Sequence, residues 1–340
     1  MDNKQILEKV INKNDLTYDE AYEAMDLIMK GELDPSYVAG LLTALRMKGE
    51  TVTEISACAT AMRDNATTLN KSSDAVDIVG TGGDNAHTFN ISTISSFVIA
   101  AAGIKVAKHG NRSVSSLCGA ADCFEELGIN IQTTKEQAER ILFETNICFL
   151  FAQVYHKSMK NVGPIRKGLG VRTIFNILGP LTNPAKVDNI VLGVYDEALL
   201  DVMANVLKEM GVKKGVVVYG DDGLDEVTLT TTTKMTILKN GTIVKFTFDP
   251  HSYGFSLCKA RDLVGGTKEE NREIALGILK GEINGPKKDV VIINAGIAIY
   301  LMNEDLTLEE AFVVAKDTID SGRAYKKLEE YRKASNNIWF

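Results

Sequence analysis

The sequence predicts an α/β fold: a small N-terminal helical domain, then a larger α/β domain on a central, mostly parallel, mixed sheet. Three observations carry that prediction. The first seventy of the 340 residues hold helix signals alone. From Asp74 onward short apolar runs alternate with helical stretches, the pattern of parallel βαβ units. Later, Asn240-Gly241 separates two apolar runs, the strongest short hairpin signal, so one antiparallel piece joins the sheet.

The elements follow in order. Thr17 and Glu20 have capping-box spacing, and Ala21, Met25, Ile28 and Met29 then recur at helical intervals up to Lys30-Gly31. Asp34-Pro35 opens a second helix, because proline suits a first turn that needs no N–H; Val38, Leu41, Leu42 and Leu45 form its stripe before Gly49. Thr51 and Glu54 repeat the cap for a third helix through Met62. Strands are expected at 76–79, 105–107, 148–151, 190–194 and 215–219. Helices are expected at 95–102, 120–127, from His156 and at 198–210. The hairpin pairs 235–238 with 243–248, and a further strand at 290–293 precedes C-terminal helices. The domain division falls at 70, giving 1–70 and 71–340, with part of 156–185 packing on the helices as a hinge or crossover.

Composition limits the function. Apolar residues make up 45% and charged residues 24%, which excludes collagen-like and wholly disordered chains. A net charge of −7 supplies no global positive field, so neither nucleic acid nor an anionic membrane is an expected partner. The most apolar stretch, SSFVIAAAGIKVA, is too short to span a bilayer, and the N-terminus has no apolar signal core. Five scattered cysteines with no C-x-x-C pair read as reduced thiols of a cytoplasmic protein. The charge is also unevenly placed. No Asp or Glu occurs in 85–121 or 145–187, yet these runs hold Lys105, Lys108, Arg112, Lys157, Lys160, Arg166, Lys167, Arg172 and Lys186. Acid-free basic segments in an acidic protein point to a focused anion site.

Four constellations could carry chemistry. In VDIVGTGGDNAHTFNIST (76–93) a strand runs into Gly80-Thr81-Gly82-Gly83-Asp84 and then a helix start near Ser92. Glycines let a backbone approach a ligand, and free N–H groups at a helix start suit phosphate. The loop is neither a Walker A motif nor G-x-G-x-x-G. KHGNRSVSS (108–116) combines cations with three serine hydroxyls after a second strand, which also suits phosphate. GDDGLDE (220–226) places carboxylates at a strand end; they suit Mg²⁺ with phosphate oxygens, or form an acidic surface turn. In the basic segment 156–184, Arg166 and Arg172 could each grip a carboxylate or phosphate, or lie on a solvated face. No G-x-S-x-G occurs, no cysteine lies beside a plausible base, and the four histidines lack metal-ligand spacing. No catalytic side chain is therefore assigned, and the pattern favours transfer chemistry governed by positioning and electrostatics.

GTGGD with TFNIST, KHGNRSVSS, RTIFNILGPLTNP and GDDGLDE, in this order, resemble the defining segments of the anthranilate phosphoribosyltransferases. The resemblance covers essentially the whole chain. It implies transfer of phosphoribosyl from phosphoribosyl diphosphate (PRPP) to the amine of anthranilate in tryptophan biosynthesis, with pyrophosphate released. It implies that PRPP is bound in the 71–340 domain by Gly80, Gly83, Asp84, Thr88, Asn90, Ile91, Ser92, Thr93, Lys108, His109, Gly110, Asn111, Arg112, Ser113, Val114, Ser115, Ser116 and Ala120. Gly80, Asn111 and Arg166 would hold anthranilate. Ser92, Asp225 and Glu226 would bind Mg²⁺, as two ions with PRPP. A homodimer through the helical domain is also implied. The chain departs from the family at Leu117, where a lysine is usual, and at Ala120, where a hydroxyl is usual. Leu117 is expected either to be exposed or to pack against an apolar neighbour. Competing readings are a nucleoside phosphorylase of the same fold, which would not require GDDGLDE, a non-catalytic phosphate-binding protein, and a type I phosphoribosyltransferase, whose Thr-Gly phosphate loop is missing.

Overall fold

The computed structural model describes residues 3–113 and 117–337. Four helices open the chain: α1 (Asn3–Ile11), α2 (Tyr18–Lys30), α3 (Pro35–Lys48) and α4 (Val52–Asp64). Their ends are set locally. Thr17 and Thr51 accept from the N–H groups of Glu20 and Glu54, whose carboxylates return to the cap N–H groups, closing both expected capping boxes. Asp34 caps α3 with Pro35 in its first turn, and left-handed Gly31 (φ 74°) ends α2. The apolar stripes of α2 and α3 are buried, α2 packing chiefly on α4 and α3 on α1.

The sheet contains β1 (Ala75–Gly80), β2 (Lys105–Gly110), β3 (Ile147–Phe151), β4 (Asn189–Gly193), β5 (Lys214–Gly220), β6 (Thr233–Lys239) and β7 (Thr242–Phe248). Their order is β3-β2-β1-β4-β5-β6-β7. The first five are parallel, and β6 and β7 add antiparallel. Asn240 and Gly241 join the last two with φ of 48° and 79°, the paired left-handed geometry of a tight hairpin turn. Strands therefore run outward from β1 in one direction and from β4 in the other. The switch lies between them, in register from Val76↔Asn189 to Gly80↔Gly193.

Alternating strand residues feed two cores. Val191, Val216 and Val218 face the core shared with α5 (Ile91–Ala101), α6 (Ala120–Glu126), α7 (Lys135–Thr145), α12 (Lys268–Leu279), α13 (Pro286–Met302), α14 (Leu308–Asp320) and α15 (Arg323–Asn336). Ile190, Leu192 and Val217 face the other core, formed by α11 (Leu199–Glu209) together with the N-terminal helices.

Two sequence expectations are corrected. Residues 290–293 are not a strand but the middle of α13, which starts at Pro286 and is buried nearly all round between α5 and α14. A short apolar run without polar punctuation cannot distinguish a buried strand from a buried helix. After a short α8 (Ala152–Tyr155), the single helix expected from near His156 is replaced by a 3₁₀ turn (Lys157–Asn161), α9 (Gly163–Leu169), α10 (Phe175–Leu178) and a second 3₁₀ turn (Gly179–Thr182). Pro164 and Pro180 start new turns, and left-handed Gly170 stops α9. These pieces pack on α2, α3 and α4.

Candidate active site

Four parallel strands, β1, β2, β4 and β5, end in glycine: Gly80, Gly110, Gly193 and Gly220. At the switch point this has a steric cause. A Cβ on Gly80 would collide with the Asp225 carboxylate, and one on Gly193 with the Asp225 backbone. Glycine at both strand ends thus lets the acidic loop after β5 lie across the mouth between β1 and β4, where open parallel sheets bind ligands. The loop after β1 is tied to it. Gly82 N–H donates to Asp225 Oδ2 at 2.6 Å, Thr81 N–H to the Gly193 carbonyl at 3.0 Å, and Tyr195 N–H to Thr81 Oγ1 at 3.2 Å.

At the start of α5, Ser92 N–H donates to Glu226 Oε1 at 3.3 Å. Ser92 Oγ accepts from Lys108 Nζ at 3.2 Å, and the same ammonium donates to the Ile78 carbonyl at 2.5 Å. Ser92, Asp225 and Glu226 are therefore neighbours, with Asp84 beside Asp225. Burial and the Asp84 charge push the Asp225 carboxyl up to about 7. Burial and Asp225 push Glu226 well above the carboxylate range, with Lys108 opposing. Glu226 Oε2 is buried with no hydrogen-bond partner. Crowded, desolvated carboxylates with an idle oxygen fit a divalent cation. Among the described residues, no group of three His, Cys, Asp or Glu could hold a metal by itself. Mg²⁺ takes one or two carboxylates and completes its shell with substrate phosphates and water.

The rest of the first loop is pinned from outside. Thr88 bridges Val264, Phe89 N–H donates to the Leu263 carbonyl, and Lys287 donates to the Val264 carbonyl at 2.6 Å while lying over the Phe89 ring. Asn85 and His87 hold left-handed φ (57° and 53°). Asn90 donates to the Cys118 carbonyl, and the side-chain oxygens of Asn90 and Thr93 are buried without partners. Ile91 packs in the core.

The second loop divides. Lys108 points inward beneath Ser92. His109 is buried against His156 (ring centroids 5.1 Å apart), and burial holds its imidazole well below the usual range, hence neutral. Asn111 is exposed. Arg112 is engaged elsewhere: Nη1 donates to Asp122 at 2.8 Å, and the guanidinium grips both Glu125 oxygens. Ala120 begins α6 beside Gly110. Ser113 precedes Val114, Ser115 and Ser116, and these last three lie outside the described residues. Leu117 is 72% exposed, which decides against a packing role.

Arg166, on α9, stacks over Phe175 at 5.3 Å, and burial alone lowers its pKa. Sequence reasoning left Arg172 unplaced. It donates to the Gly83 carbonyl at 2.6 Å and lies 3.9 Å over the Tyr195 ring. It also missed Lys287; the signal for neither is local, because each contact joins distant segments. Lys108, Arg166, Arg172 and Lys287 form no ion pair among the described residues, whereas Lys105, Arg112 and Lys186 do. The first four cations therefore have no side-chain carboxylate within ion-pair distance among the described residues, which leaves them available to an anionic ligand.

Residues 72–325 match the model of the glycosyl transferase family α/β domain, and residues 4–66 that of the family's helical bundle domain. The anthranilate phosphoribosyltransferase of Endomicrobium trichonymphae is 51% identical, covering 98% of this chain and 99% of its own. The chain belongs to the anthranilate phosphoribosyltransferases. The Methanobrevibacter smithii member is 50% identical over the same 98% of this chain. Among solved structures, anthranilate phosphoribosyltransferase from Thermus thermophilus superposes with a TM-score of 0.92 at 41% identity, covering 97% of this chain and 98% of its own. The Saccharomyces cerevisiae enzyme, solved in complex with PRPP and Mg, reaches 0.90 at 26% identity, covering 99% and 98%. In this chain the carboxylates and the loops after β1 and β2 lie together at the carboxyl ends of the parallel strands. No described helix is long and apolar enough to cross a membrane.

Proposed function

We propose that this chain transfers the phosphoribosyl group of PRPP to the amine of anthranilate, giving N-(5-phosphoribosyl)anthranilate and pyrophosphate in tryptophan biosynthesis. One observation carries the reading: Gly80 and Gly193 admit Asp225 and Glu226 to the switch point, where they accept from N–H groups of the β1–α5 loop. PRPP is received by Gly80, Gly83, Asp84, Thr88, Asn90–Thr93 and the 108–116 loop, with Ala120 at its end. Arg112 joins them on exchanging Glu125 and Asp122 for phosphate. Ser92, Asp225 and Glu226 would hold Mg²⁺, as two ions; bound there, Mg²⁺ supplies positive charge for the pyrophosphate leaving group.

Loop N–H groups and Lys108 add fixed positive charge on that side, where negative charge grows as the C–O bond breaks. The aromatic amine is a neutral nucleophile and needs no activated side chain. Gly80, Asn111 and Arg166 orient anthranilate, the guanidinium facing its carboxylate; orientation of this kind is worth several kcal/mol. Neutral His109 is compatible with a site that must not protonate the amine. The chain is proposed to divide near residue 70, with the 157–182 pieces as the crossover. It is proposed to dimerise through its helical domain and to work in the cytoplasm.

The test is direct. Protein, PRPP, Mg²⁺ and anthranilate are mixed and anthranilate fluorescence is followed. Mg-dependent loss of fluorescence is expected; no loss at saturating substrates rejects the reading.

A further inference from the structure

We propose that Arg172 is a positioning residue, fixing the Gly80–Gly83 turn in the form that receives the phosphoribosyl donor. Three observations converge. Arg172 Nη2 donates to the Gly83 carbonyl at 2.6 Å, turning that oxygen outward, toward the 163–173 segment. The guanidinium carbon lies 3.9 Å from the centroid of the Tyr195 ring, over its face, which restrains the side chain. Tyr195 in turn donates its N–H to Thr81 Oγ1 in the same turn. A charged fork thus closes a ring from the turn through Arg172 and Tyr195 back to the turn.

The ring matters because the ties to Asp225 and Gly193 hold the turn at Thr81 and Gly82, whereas Arg172 holds it at Gly83. Gly82 and Gly83 both hold left-handed φ (68° and 83°), and glycine has many alternatives to those values. Without a partner on its carbonyl, the 83–84 peptide can rotate and point an oxygen, rather than an N–H, at an anion. Arg172 acts on PRPP only through that peptide. Lysine is a poor substitute, because an ammonium lacks the planar face that stacks on tyrosine. Arg172 also sits six residues after Arg166, so the same short segment carries both the anthranilate-facing cation and the support of the donor loop.

This inference rests on the functional reading above, and the experiment separates the two. Wild-type protein, Arg172→Ala, Arg172→Lys, Tyr195→Leu and Tyr195→Phe are compared by calorimetry with PRPP-Mg²⁺ and by steady-state kinetics with each substrate varied. For Arg172→Ala we expect the PRPP KM to rise about tenfold or more and kcat to fall, the anthranilate KM to stay within about twofold, and millimolar guanidinium to restore part of the loss. Arg172→Lys and Tyr195→Leu should lose several-fold, and Tyr195→Phe almost nothing. If Arg172→Ala does not fold, Arg172→Lys and Tyr195→Leu give the same readout. Unchanged PRPP parameters overturn the proposal. So does an equal rise in both KM values with a lowered Tm and no guanidinium rescue, which marks a merely structural arginine. Wild-type protein that binds no PRPP overturns the functional reading, and the proposal with it.

Discussion

Arg112 and Arg166 carry the same side chain in opposite electrostatic settings. Arg112 is neutralised by two carboxylates, whereas Arg166 lies over an aromatic face and pairs with no acid among the described residues. Arg166→Ala should therefore remove charge that is available for a substrate. A charge-assisted hydrogen bond is worth roughly 1.5–3 kcal/mol, so kcat/KM for anthranilate should fall about ten- to hundredfold while calorimetry shows PRPP binding unchanged. Asp225 and Glu226 invite a different experiment. Their raised carboxyl groups cost the metal-free protein stability whenever the pH is high enough to ionise them. Asp225→Asn with Glu226→Gln should abolish Mg²⁺-dependent turnover yet raise, or leave unchanged, the metal-free Tm at pH 8. A Mg²⁺ titration of activity like that of the wild type would exclude this site. Function and stability would then trade against each other at one pair of residues.

Elements whose ends are written in local chemistry were the legible ones. Thr17, Thr51 and Asn240-Gly241 fix helix starts and a hairpin within four residues of chain, and each forms as expected. The run around Val290 was misread because a helix buried on all sides has no polar face to mark its period. Helix α7 passed unremarked although Thr134 and Gln137 cap it by the same rule. In the site, the glycine turn and the acidic pair were readable as motifs. The support of Gly83 by Arg172 was not, because it spans 89 residues and no spacing encodes it. Capping boxes that look alike in sequence also differ in weight. Glu54 is fully buried and accepts from Leu16 N–H, Thr51 N–H and Lys48, while Glu310 caps α14 in solvent. Glu54→Ala leaves the buried Leu16 N–H without its partner and takes one of two carboxylates from Lys48, which keeps Asp15; it should cost about 1–3 kcal/mol more than Glu310→Ala, which should cost about 1 kcal/mol. Urea unfolding of the two variants measures the contrast, and equal losses would mean that Glu54 is only a cap.

At the scale of the whole molecule, Asp77 ties the sheet to its crossover. It sits inside β1, accepting from His109 N–H and from Asn183, which also donates to the β2 carbonyl of Ala107. Burial pushes its carboxyl up to about 6, against the pull of Lys108. A raised carboxyl favours the fold while protonated: the contribution is complete below about pH 4, the unfolded value, and is lost as pH rises through 6. Asp77→Asn should flatten the pH dependence of unfolding free energy between pH 4 and 7, whatever it costs overall through its altered bond to Asn183. An unchanged slope would mean that Asp77 does not titrate in the folded protein. The shared second core has a consequence in time. Side chains of α1–α4 lie in one cluster with Ile190, Leu192, Val217 and Leu238. A nascent chain leaves the ribosome N-terminus first at about 5–20 residues per second, so the four opening helices wait on the order of ten seconds or more for the strands that complete their core. During synthesis their apolar faces are therefore natural substrates for a holding chaperone.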